Sequence, residues 1–144
     1  MLHDSAIDAQ RFGRFFPLER EAQTLQVMRE ALASIDGGYA MVLSSLDGQR
    51  LAHVTSIDTN TSRLAAMIGS LCALGETLGR EWGQSDFNDV MVQMGTGLAV
   101  IRRIPGQRLV LMSAASASAT MGLASSHTRY CAEALAQICF VSRG

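Results

Sequence analysis

The sequence predicts an α+β sandwich, a five-stranded antiparallel sheet with helices covering its faces. Three features point there. Helical periodicity alternates with strand-like apolar runs, Asp47-Gly48 separates two such runs, and the glycine-centred breaks at 95–97 and 105–106 divide a later region into three. A chain of 144 residues with 48% hydrophobic content is long enough to bury a core as one domain.

The elements follow in the order helix, strand, strand, helix, strand, strand, strand, helix. Residues 1–16 form a polar leader in which Phe12, Phe15 and Phe16 gather near Arg11 and Arg14. It reads either as a docking arm or as an extension packed locally. The domain proper is expected over 17–141. Pro17 suits a helix start, and Leu18, Ala22, Leu25, Met28, Leu32 and Ile35 keep helical spacing until Asp36-Gly37-Gly38 stops them. YAMVLSS and RLAHVTS then make a hairpin across Asp47-Gly48, a pair that accepts tight-turn dihedrals at low steric cost.

Asp58, Thr59 or Asn60 caps a second helix running to about Trp82. Its large stripe, Leu64, Ile68, Leu71, Leu74, Leu78 and Trp82, is expected on the sheet. A lane of small residues, Ala65, Gly69, Ala73 and Thr77 with Cys72 alongside, is expected to turn away from the sheet. There a backbone could approach closely, and a second subunit would cover it; the alternative is a surface of ordinary helix formers. After the linker Gly83-Gln84-Ser85 comes a three-strand meander with Val90, Val92 and Met94 on one face, and then a third helix entered through SAASASAT.

The chemistry-bearing residues are sparse. Twelve basic residues, all arginine, against thirteen acidic ones leave a net charge of -1, so no basic field draws the chain to nucleic acid. The acidic N-terminus has no apolar signal core and no run approaches the ~18 apolar residues of a membrane span, so a cytoplasmic protein without membrane insertion is expected. Cys72, Cys131 and Cys139 form no CxxC pair and read as buried thiols. His3, His53 and His127 are too scattered for a metal site, and no phosphate-binding loop exists. Ser44 and Ser45 lack both an adjacent base and the GxSxG context of a hydrolase. No catalytic residue, cofactor or metal is therefore expected, and the protein reads as a non-enzyme.

The stretches GYAMVLSSLDGQRLA, SRLAAMIGSLCALGETLG and GTGLAVIRRIPGQRLVLMSAASASATMGLASSHTRYCAEAL resemble the roadblock/dynein light chain family, including bacterial roadblock proteins related to the gliding-motility partner of a small GTPase. The resemblance implies a profilin-like sandwich and a homodimer formed by the second helices and strand edges. Carried over by position, the dimer surface would involve Ala65, Ala66, Gly69, Cys72, Ala73 and Glu76 with Val90, Val92 and Met94. It further implies a binding role, as an adaptor or regulator of a Ras-like small GTPase or of a motor or signalling scaffold. The second reading is a small-ligand sensor with an apolar pocket between helix and sheet.

Overall fold

The computed structural model describes residues 4–84, 87–116 and 118–140. His3 and Ser85 lie outside the described residues. The strands are β1 (Asp4–Ile7), β2 (Gly38–Ser45), β3 (Arg50–Thr55), β4 (Asp89–Met94), β5 (Gly97–Arg103) and β6 (Leu109–Ser116). The helices are α1 (Ala9–Phe12), α2 (Glu21–Ser34), α3 (Thr61–Glu81) and α4 (Met121–Ile138), with one 3-10 turn, Leu18–Arg20, leading into α2.

All six strands join one antiparallel sheet in the order β1-β3-β2-β6-β5-β4. The expected five strands are thus corrected to six, because Asp4–Ile7 pairs with β3 in the register Asp4↔Thr55 to Ile7↔Ala52. The reason lies in alternation over a stretch too short to stand out: Asp4 and Ala6 are exposed, while Ser5 and Ile7 turn inward.

The sheet is covered unequally. Helices α2 and α4 pack together on one face, over Met41, Leu43, Leu109 and Leu111. The other face, with Ala40, Val42, Ile101, Val110 and Met112, is covered by α3 alone. Strand β2 is buried nearly throughout because it runs between both layers at the sheet's centre, which explains its continuous apolar run.

Behind β1 the chain enters the core directly. Phe12 and Phe16 stack with ring centroids 4.5 Å apart, and both are wholly buried in the α2/α4 layer. The Phe15 carbonyl accepts the Phe140 N–H at 2.9 Å, which ties this segment to the end of α4. Phe16→Ala therefore removes a filled core position, and denaturant unfolding should show a loss of about 3–5 kcal/mol. A free extension would show no change.

Candidate interaction face

Helix α3 begins where Asn60 accepts the Arg63 N–H on its side chain at 3.0 Å, one of the three caps expected. How the helix then sits is decided by two glycines. Gly48 occupies the hairpin turn with φ of 89°, and Gly69 lies against it so closely that a Cβ there would stand 2.8 Å from the Gly48 Cα and N. The turn is itself braced: the Ser45 hydroxyl bonds the Asp47 carboxylate and accepts the Gln49 N–H at 3.0 Å. Ser44 is wholly buried and donates to the Ser45 carbonyl at 2.8 Å. Both serines thus serve the hairpin.

The expected orientation of α3 is consequently met only in part, since Ala73 and Thr77 do face outward. Ala65, Gly69 and Cys72 do allow a close approach, but to the chain's own hairpin and sheet, where all three are buried. The large stripe splits: Ile68 is buried, Leu64 and Leu71 are half-buried, and Leu74, Leu78 and Trp82 are 62%, 52% and 74% exposed. Met67 is exposed on the same flank, so residues 67, 71, 74 and 78 make an apolar line at three- and four-residue steps.

That line faces β4. An open groove of about 620 Å³ runs between them, lined by Leu71, Leu74, Leu78, Trp82, Phe87 and Val90. The pairings Val90↔Ile101, Val92↔Ala99 and Met94↔Gly97 put Val90, Val92 and Met94 on the sheet face that α3 covers. Val90 and Val92 are half-buried and Met94 is exposed. Strand β4 also ends the sheet, so among the described residues its outer backbone edge has no partner strand. Ala66, Ala73 and Glu76 fall on the opposite flank, around a shallow recess with Asp47, Ser70 and Arg108. The nine residues expected to share a surface therefore divide among a buried seam, the β4 face and a polar flank.

Between α3 and the sheet, where a ligand pocket was the alternative, Ile68, Cys72, Ile101, Val110 and Met112 fill the space. Among the described residues no group of three or more His, Cys, Asp or Glu could hold a metal ion. His53 is buried, with Nδ1 3.3 Å from the Thr61 hydroxyl and Nε2 3.3 Å from the Asp4 carboxylate, a link between β3, α3 and β1 that sequence reading missed.

Burial also sets the thiol chemistry. It raises Cys72 to about 11, with Glu76 adding to the rise and Arg103 opposing it, and raises Cys131 and Cys139 to about 12.

Set beside known proteins, residues 25–103 match the family model of the Roadblock/LC7 domain. The gliding protein MglB from Thermus thermophilus superposes with a TM-score of 0.75 at 21% identity, over 81% of this chain and 88% of that one. A Roadblock/LC7 domain from Streptomyces avermitilis gives 0.69 at 20% identity, over 76% and 92%. Profilin II of Acanthamoeba castellanii gives 0.50 at 15% identity, over 77% and 90%, in keeping with a profilin-like fold. No curated protein matches the chain in sequence.

Three outcomes follow from this geometry and from the burial of the thiols. Gly69→Ala should lower stability by a net ~1–2 kcal/mol, overpacking against Gly48 outweighing the helix propensity gained; on a free surface the same change would stabilise. The thiols should label at pH 8 roughly 100- to 1,000-fold more slowly in the folded protein than in denaturant, where the thiolate fraction is far larger. Because their folded pKa values lie above the unfolded value of 9.0, the stability they contribute is complete below pH 9 and fades as pH climbs toward 11 and 12, which melting curves across that range would register.

Proposed function

The chain belongs to the Roadblock/LC7 family, and we propose that it works as a homodimeric adaptor, without chemistry of its own, that binds and regulates a small Ras-like GTPase. One observation carries the dimer: the exposed apolar flank of α3 lies beside a strand edge with no partner among the described residues. Apolar surface of this kind and an open edge both favour association. A second copy related by a twofold axis offers the same two features, so antiparallel pairing of β4 with its twin would merge the sheets and bring the α3 flanks together.

In this reading Val90, Val92 and Met94 join Leu74, Leu78 and Trp82 in the seam. Ala66, Ala73 and Glu76 remain outside it with Asp47 and Arg108. The partner reading rests on family membership. A regulator need only bind one nucleotide state of the GTPase better than the other to shift its cycle, which asks for surface complementarity and no catalytic group. Cytoplasmic residence follows from such a partner; among the described residues no helix is long and apolar enough to cross a membrane.

Leu78→Arg tests both halves. The side chain is exposed, so the fold should survive, while light scattering should show the particle mass halved. Immobilised parent protein, offered cytosol with GDP or a non-hydrolysable GTP analogue, should retain a Ras-like GTPase in one nucleotide state only, and the variant should lose it. An unchanged mass would move the seam off α3, and no GTPase in either state would remove the regulatory role.

A further inference from the structure

A strand that meets its own twin antiparallel and edge to edge does so about a twofold axis normal to the sheet, which keeps α3 of both copies on one side. Which residues then face one another is decided by the edge of β4. The Arg103 N–H donates to the Asn88 carbonyl at 3.1 Å, so Asn88 bonds inward, to β5. By antiparallel alternation Val90, Val92 and Met94 also bond inward, and Asp89, Met91 and Gln93 turn their N–H and C=O groups outward. These residues are the edge that a second copy meets.

Their side chains stand on the sheet face away from α3, because Val90, Val92 and Met94 take the α3 face. Met91 and Gln93 are exposed, and Asp89 is half-buried, its Oδ2 accepting from Arg102 at 2.8 Å. A carboxylate has room for further donors, so Asp89 presents a positioned negative charge at the edge. The registers open to it are few. An axis through Met91 sets Asp89 opposite Gln93 of the second copy, Met91 opposite itself, Val90 opposite Val92 and Met94 opposite Asn88, and it pairs every outward group of the strand. An axis through Val92 sets Asp89 against Gly95, a turn residue beyond the strand, and an axis through Val90 sets it against Met91. Only the first places a donor side chain, the Gln93 amide, against the carboxylate.

We propose that the β4 edge recognises a second copy of the chain in the register centred on Met91, the Asp89 carboxylate of each copy accepting from the Gln93 amide of the other. The axis repeats the contact on both sides of Met91, so the edge is complementary to itself. It discriminates against a strand that brings an acid to the place of Gln93. The inference rests on the homodimer reading and adds to it which partner the edge selects.

The test reads the register by cysteine position in the full chain. Met91→Cys puts two thiols directly opposite, with Cα atoms about 5.5 Å apart and within the span of a disulfide. Val92→Cys puts them two residues out of step, roughly 8 Å apart and beyond that span. Oxidised glutathione should link Met91→Cys into a covalent dimer on a denaturing gel. It should leave Val92→Cys and the parent as single chains, because burial keeps the native thiols protonated. Gln93→Glu sets like charges face to face on both sides of the axis and should weaken the dimer by roughly 3- to 30-fold in low salt, whereas Gln93→Arg should not weaken it. Linking through Val92→Cys, linking at neither position, or a Gln93→Glu dimer of unchanged affinity would overturn the register while the dimer stood. A parent that is a single chain by light scattering would remove the dimer itself, and the register with it.

Discussion

The contact between Gly69 and Gly48 sets the rotation of α3, and most of what the surface can do depends on that rotation. A helix lying alone on one sheet face can bury only part of its circumference. Seating its small side on the hairpin brings Ala65, Ile68 and Cys72 down onto Val42, Ile101 and Met112. It also turns Leu74, Leu78 and Trp82 outward, although burying each such side chain is worth about 1.5–3 kcal/mol. Close backbone approach secures the monomer, and the large side chains are left available for association.

The unequal covering of the sheet reinforces this. Two helices share the face over β2, β3, β5 and β6, whereas α3 touches mainly β2 and β3 on its own side and reaches β4 only near its end. The outer half of that face, with Val92 and Met94, therefore lies open next to the free edge. At the far edge the chain supplies its own sixth strand and anchors it with Phe12 and Phe16. Both ends of the sheet are thus strands with no outer partner among the described residues, four residues long at β1 and six at β4.

The sequence carried much of this in readable form. Helical periodicity in α2 and α3, the Asp47-Gly48 turn, a cap within Asp58, Thr59 and Asn60, and the β4-β5-β6 meander were all legible, because each is a local preference stated by adjacent residues. The direction in which α3 faces was not. Small residues at four-residue spacing say that a backbone comes close, and nothing in them says whose. β1 was missed for a different reason: four residues with one large apolar side chain give too little alternation to register, and the sign of order was the phenylalanine cluster behind them. The chain of hydrogen bonds through Arg50, Thr61, His53 and Asp4 escaped sequence reading because it joins residues far apart along the backbone, on three elements that only the fold brings together.

The central claim, that the α3 flank and β4 edge form a seam between two copies, has a built-in reporter. Trp82 is the protein's single tryptophan and stands on that flank, exposed in one chain. Its fluorescence and its quenching by acrylamide, followed on dilution of the native protein, measure the seam directly. Emission that is blue-shifted and protected when concentrated, and that moves to the red and becomes quenchable as the protein is diluted, is what a Trp82-containing seam requires; emission that is solvent-exposed and equally quenchable at every concentration would contradict it.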